Sequence, residues 1–268
     1  MTQSKNSTRP HLLLTNDDGI DSPLFELLIQ ALLPYGDLSI AVPAHEQSWQ
    51  GKSMTRHGEV SVQSVQIAGQ PAYSIGGTPA DCVNIAIYNL LDEKPDLVVS
   101  GINVGLNAGL SLVWASGTVG ACLEGNIAGI PGIAMSQQLN PETYQHWDQH
   151  RRFPPGIFER LQGAFLRVLP LIFEKLVTPQ YDTLSDPVAN NVTHNVNLPF
   201  ELENAELVDS YLGHSWYQQC FIEQGKDVYK HRMQPFALDS NDAADINVLK
   251  SGRVSVTRLD VKTFGTLG

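Results

Sequence analysis

His11 to Asp21, HLLLTNDDGID, decides how the chain is read. The run Leu12-Leu13-Leu14-Thr15 has the character of a buried strand, and it ends abruptly in Asn16-Asp17-Asp18-Gly19. Two adjacent acids at the end of a buried strand are costly to desolvate without a counter-charge, which a metal ion would supply. In open α/β sheets ligands collect at the carboxyl ends of the strands, where the first strand runs into the first helix. The competing account is an ordinary acidic βα turn capping the next helix, because Asp and Gly are common turn residues.

Outward from this turn the pattern is α/β. Ser22-Pro23 offers an N-cap followed by proline at the first helical position. Leu24 to Leu33 is apolar on most sides of a helix, Pro34 and Gly36 stop it, and Leu38 to Val42 is a second strand. This β-α-β unit builds a parallel sheet. Val60, Val62 and Val65 alternate imperfectly before a turn at Gly69-Gln70-Pro71, giving a hairpin excursion that returns through Ala72 to Ile75. Thr78-Pro79-Ala80-Asp81 reads as a capping box for a helix to about Leu91, with Gly76-Gly77-Thr78 as a phosphate cradle the alternative. Leu97-Val98-Val99 is the continuous apolar run expected of a central parallel strand.

Gly101 to Gly117 reads as a long loop leading into a helix from Thr118 to Ala128, where Gly120, Ala121 and Gly125 permit close approach to the sheet. Ile133 to Ser136 is a strand and Gln137 to Pro155 a polar surface connection. Gly156 to Val177 carries a helical apolar stripe in which Pro170 is expected to introduce a kink. Asn191 to Leu198 is a further strand. The expected fold class is α/β, a Rossmann-like, mostly parallel sheet with helices on both faces, plus a C-terminal β-rich appendage. The expected division is a main domain over 1–200, the appendage over 201–238, and a helix and strand over 239–268 returning to the core.

The 268 residues can bury a full core. Seventeen basic against 28 acidic residues give a formal charge of −11, which argues against a nucleic-acid polymer as partner. A small phosphorylated anion is compatible only where a metal or a helix N-terminus reverses the sign locally. Met1 to Pro10 lacks the plan of a signal peptide and no stretch is long enough to span a membrane. Cys82, Cys122 and Cys220 are odd in number and lack a CxxC pair, so they read as reduced thiols in a cytoplasmic protein. Cys82 and Cys122 read as small buried hydrophobes.

Three expected strand ends fall on one sheet edge: Asp17 and Asp18 after the first strand, the loop with Ser48 after the second, and Asn103 after Leu97 to Ser100. Two carboxylates, a hydroxyl and an amide oxygen suit a hard divalent cation such as Mg²⁺, Mn²⁺ or Ca²⁺. Zinc fits less well, since none of these donors is a histidine or cysteine, and of the eight histidines only His146 and His150 have HxxxH spacing, away from these strand ends. Ser116-Gly117-Thr118 opens a helix after a glycine-containing loop and is either an ordinary N-cap or a phosphate cradle. His45, Lys52, Arg56 and His57 either neutralise a phosphate from the second-strand loop or, the reading preferred here, are solvated loop charges. Trp114 either stacks on a base or packs its loop against the core.

The ordered set Asn16-Asp17-Asp18-Gly19, the Pro43 to Ser48 loop, Gly77-Thr78-Pro79-Ala80-Asp81, Ser100-Gly101-Ile102-Asn103 with Gly105 and Asn107, Ser116-Gly117-Thr118-Val119-Gly120-Ala121 with Glu124-Gly125, and Asn195-Val196-Asn197-Leu198-Pro199 resembles SurE, the survival-protein-E nucleotidases. The resemblance implies one divalent metal ion, Mg²⁺ or Mn²⁺, held by Asp17, Asp18, Ser48 and Asn103. It implies hydrolysis of 5′- and 3′-nucleoside monophosphates by metal-activated water, with an exopolyphosphatase side activity, in a homodimer or homotetramer assembled through the appendage. Asp17, Asp18 and Asn103 would be catalytic; Asn16, Gly105, Asn107, Ser116, Gly117 and Thr118 would bind phosphate or substrate. The sequence departs from the family pattern at Ala115, which separates Trp114 from Ser116, at Leu110-Ser111 in place of an acid, and at Trp49-Gln50, which delays the glycine after Ser48. The alternative is a metal-dependent nucleotide sensor without turnover. A haloacid-dehalogenase-type phosphatase needs acids at alternate positions, whereas these are adjacent.

Overall fold

The computed structural model describes residues 9–177, 191–217, 219–232 and 237–263; the N-terminal reading over Met1 to Thr8, and the parts of the appendage and C-terminal segment outside these ranges, lie beyond the described residues. Nine strands form the main sheet: β1 (His11–Thr15), β2 (Asp37–Pro43), β3 (Val62–Ile67), β4 (Gln70–Ile75), β5 (Leu97–Val104), β6 (Gly132–Gln137), β7 (Thr193–Leu198), β8 (Leu207–Ser210) and, last in the chain, Val254–Leu259. Between β8 and that last strand lie β9 (Ser215–Trp216), β10 (Phe221–Gly225), β11 (Val228–His231) and β12 (Ala237–Leu238), so Val254–Leu259 is β13. The sheet order is β3-β4-β2-β1-β5-β6-β7-β13-β8. From β4 to β7 every neighbouring pair is parallel, while β3 and β13 run antiparallel to β4 and β7.

The six parallel strands, taken in chain order, lie 3-2-1-4-5-6, the doubly wound Rossmann arrangement. Its topological switch point falls between β1 and β5. Strand β1 is fully buried along Leu12, Leu13 and Leu14 because helices cover both faces. Leu12 and Leu14 pack with α1 (Pro23–Leu32) and the later helix Ile157–Ile172, while Leu13 packs with α2 (Pro79–Ile85) and the helix Gly117–Ile127.

Several elements depart from the sequence reading. Strand β5 runs on to Val104, with an irregular register against β6 between Ser100 and Asn103 and a cis Gly101–Ile102 peptide. The expected Gly101–Gly117 loop is therefore partly strand, and it also contains α3 (Leu110–Ala115), which precedes α4 (Gly117–Ile127). Gln137 to Pro155 is not merely a surface connection. It holds α5 (Pro141–His150), capped by the Asn140 side chain on the Thr143 N–H and anchored by buried Trp147 stacked on Phe153 at 4.8 Å. One buried aromatic suffices to seat a helix whose other residues are polar, so no apolar period marks it. Pro170 lies inside α6 (Ile157–Ile172), which gives way to a π-turn over Phe173–Val177; α2 ends in a similar turn over Ala86–Leu90.

The C-terminal appendage contains the antiparallel pairs β10–β11 and β9–β12. Strand β8, on the appendage side of residue 201, pairs in parallel with β13 and forms the edge of the main sheet. The short helix α7 (Asp245–Lys250) leads into β13.

Candidate active site at the sheet switch point

The Asn16–Gly19 turn is closed on itself. The Asn16 amide donates to the Gly19 carbonyl at 2.8 Å and accepts from the Gly19 N–H at 3.2 Å, so Asn16 shapes the turn. Gly19 has φ +87°, and a Cβ there would meet the backbone of His45 and Glu46. That contact lets the β2 loop lie beside the acid pair, and the Gln47 N–H donates to the Asp17 carbonyl at 2.7 Å.

Asp17 is 3% exposed. Its Oδ1 accepts from Thr118 Oγ1 at 2.6 Å, and the Thr118 N–H at the start of α4 also bonds this carboxylate. Gly117 permits the approach, because a Cβ there would lie 2.9 Å from Asp17 Cβ. The positive end of α4 is thus occupied by Asp17 itself. Thr118, completely buried, supports the acid through this bond. Half-buried Asp18 accepts the Val104 N–H at 3.0 Å, tying the turn to β5 across the switch point.

Burial pushes the Asp17 carboxyl up to about 6 despite the Thr118 hydrogen bonds, and it pushes Asp18 well above the usual carboxylate range, reinforced by the Asp17 charge. Neither acid forms an ion pair with a described Lys, Arg or His. Among the described residues no three His, Cys, Asp or Glu side chains form a metal-holding group, so any cation here relies on the acid pair completed by neutral oxygens. Two such donors are in place. Asn103 donates its amide N–H to the Gly105 carbonyl at 3.1 Å, leaving Oδ1 without a described partner. Ser48 donates to Glu46 Oε1 at 2.8 Å and keeps lone pairs available. Two uncompensated acids beside an amide and a hydroxyl oxygen fit a hard divalent cation.

Asp17, Ser48, Asn103, Gly105, Asn107 and Ser116 line one cavity of about 370 Å³; Asn16, Asp18, Gly117 and Thr118 stand outside its lining. Ser116 accepts the Val119 N–H as the α4 cap at 3.1 Å, and its own proton has no acceptor among the described residues. Asn107 is held from three sides. Its N–H donates to Asn197 Oδ1 at 2.8 Å, its carbonyl accepts from Asn195 at 2.7 Å, and its amide donates to Ser136 at 2.9 Å.

The remaining motifs are structural. Thr78 and Asp81 form a complete capping box, and Asp81 also accepts from Thr55. Lys52 corrects the reading of solvated loop charges: it pairs with buried Glu124 at 2.6 Å and fastens the Ser48 loop to α4. Trp114 is exposed and does not line the cavity; Trp49 and Tyr144 do. Sequence alone marks neither, because Trp49 lies in a loop without a period and Tyr144 on a helix without an apolar stripe. Asp245 was also missed. It is completely buried, accepts from the Gly109, Gly213 and Ile246 N–H groups at 2.8, 3.1 and 2.8 Å, and anchors the start of α3. No local signal marks it, since two of its three partners, Gly109 and Gly213, are distant in the chain.

The fold and site define a Rossmann-type α/β protein that gathers acids and neutral oxygens at its switch point. The chain belongs to the survival protein SurE family, whose model matches residues 12–220. The 5′-nucleotidase SurE of Methanoregula boonei is 32% identical over 93% of this chain and 92% of its own. That of Methanopyrus kandleri is 45% identical over 48% of this chain and 49% of its own. The crystal structure of the SurE protein from Aquifex aeolicus has a TM-score of 0.67 at 26% identity, covering 95% of this chain and 96% of that one. No helix among the described residues is long and apolar enough to cross a membrane.

Proposed function

We propose that the protein is a 5′-nucleotidase: a metal-dependent phosphomonoesterase that converts 5′- and 3′-nucleoside monophosphates to nucleoside and phosphate, with short polyphosphate as a side substrate. The observation that carries this reading is the uncompensated Asp17–Asp18 pair beside a cavity lined with neutral oxygen donors. The relatives named 5′-nucleotidase SurE support it.

Asp17, Asp18, Ser48 and Asn103 would hold one Mg²⁺ or Mn²⁺. Such an ion, when bound, polarises a phosphoryl oxygen and lowers the pKa of water. Thr118 keeps Asp17 deprotonated and aimed through its two hydrogen bonds. Ser116 would direct its O–H toward a phosphoryl oxygen, and Asn107, locked by β6 and β7, would stand beside it at the same polar end. The protein would act in the cytoplasm as a homodimer or homotetramer joined through the appendage.

The test is phosphate release from a panel of 3′- and 5′-nucleoside monophosphates with Mn²⁺ or Mg²⁺, and again with a chelator. Chelator-sensitive release is expected. Tight metal-dependent nucleotide binding without release would replace the enzyme by a sensor.

A further inference from the structure

Trp49 directly follows Ser48, and its backbone has φ +65°, a region that bulky residues seldom occupy. The loop is pinned on both sides of it: Gln47 N–H bonds the Asp17 carbonyl at 2.7 Å, Gly51 N–H bonds the Ala115 carbonyl at 2.9 Å, and Lys52 holds Glu124. The indole is 43% exposed and lines the same cavity as Asp17 and Asn103. His231 of β11 stands edge-on to it at 4.8 Å, and Tyr217 lies 6.3 Å away. A large apolar ring is therefore held out of the core, at the mouth of the site, by backbone strain and by aromatic neighbours.

The cavity is divided in its chemistry. Asp17, Asn107 and Ser116 are linked at one end through Thr118 and the start of α4, and among the described lining residues Asp17 alone carries a charged side chain. Besides Ser48 and Asn103, the rest of the lining is mainly apolar, with Leu106, Leu139 and Ile246 among its side chains and Trp49 and Tyr144 as the aromatic surfaces. A phosphate bound at the polar end leaves the rest of its ester against flat apolar surface. Aromatic rings hold nucleobases by stacking without reading their hydrogen-bonding edges, because every base has a π-face.

Resting on the nucleotidase reading above, we propose that Trp49 is the platform on which the substrate's nucleobase stacks, and so a specificity-determining residue. Larger ring area favours purine over pyrimidine nucleotides, and adenine and guanine are scarcely distinguished.

The experiment compares kcat/KM for AMP, GMP, CMP and ribose 5-phosphate in wild type, W49A and W49F, alongside tryptophan fluorescence during AMP titration. In W49A the AMP to ribose 5-phosphate ratio is expected to fall about tenfold, mainly through KM, with W49F retaining most of it. AMP is expected to quench wild-type fluorescence, and W49F to lose that quenching. A ratio unchanged within about twofold in both variants overturns the platform while leaving the nucleotidase standing. If wild type releases phosphate from no ester, the nucleotidase reading fails separately. The quenching difference between wild type and W49F then decides the platform, and equal quenching in both overturns it.

Discussion

Thr118 Oγ1 lies 2.6 Å from Asp17 Oδ1, joining residues 101 positions apart in the chain. A threonine whose spacing suggests a phosphate cradle buttresses the first acid. Thr118→Val is accordingly expected to weaken metal support more than phosphate binding. The apparent metal affinity, read by titrating Mn²⁺ against phosphate release, should fall about tenfold, the scale of a group that orients a metal ligand. Thr118→Ser, which keeps the hydroxyl, should restore most of it. A larger change in KM for substrate than in metal affinity would return Thr118 to the phosphate.

Asp18 offers a case in which activity and stability move in opposite directions. Asp18→Asn removes one charge from the pair, so metal-supported turnover should drop at least about 100-fold. The same change relieves repulsion between the buried Asp17 and the half-buried Asp18, while the amide oxygen can still accept the Val104 N–H. In chelator the variant should melt a few degrees above wild type, the shift expected for about 1 kcal/mol. A lower melting temperature in chelator would contradict the electrostatic account.

Asp245 should behave as a positioning residue. Asp245→Ala strands three buried N–H groups and should cost about 3 kcal/mol of stability, measured by urea denaturation. Asp245→Asn retains the oxygen facing Gly213 and Ile246 but presents an amide N–H to Gly109. It is expected to lose less stability and to raise KM several-fold by loosening the start of α3. Unchanged KM in a folded Asp245→Asn would make the residue purely structural.

His194 supplies the pH dependence. Burial foremost, then its cross-strand neighbour Arg258, lowers its pKa to about 4 from an ordinary 6.5. The unfolded chain binds the proton more readily, so the stability contributed by neutral His194 is present above pH 6.5 and is lost as pH falls toward 4. The loss is on the order of 3 kcal/mol. Urea midpoints at pH 7 and pH 5 check it, and His194→Gln should flatten the slope.

Much of the fold is legible along the chain because buried parallel strands announce themselves locally. Leu12 to Leu14 and Leu97 to Val99 are continuous apolar runs, each ending in polar residues. Where the signal is not local, the reading fails. Helix α5 rests on Trp147 in the core, and β5 continues past an irregular register, so neither shows a full apolar period.

By itself the sequence determined which residue types arrive at the carboxyl edge of the sheet: an acid pair after β1, a serine in the β2 loop and an asparagine at the end of β5. That follows from strand and turn chemistry over a few residues at a time. Only the tertiary structure decided which of them face the cavity and which stand behind it. Gly117 lets α4 close on Asp17, and that approach turns Thr118 inward; the β2 loop, pinned through Gln47 and Lys52, turns Trp49 outward. Side-chain direction at a helix start or in a pinned loop depends on contacts between elements far apart in the chain, and no short window of sequence contains both partners.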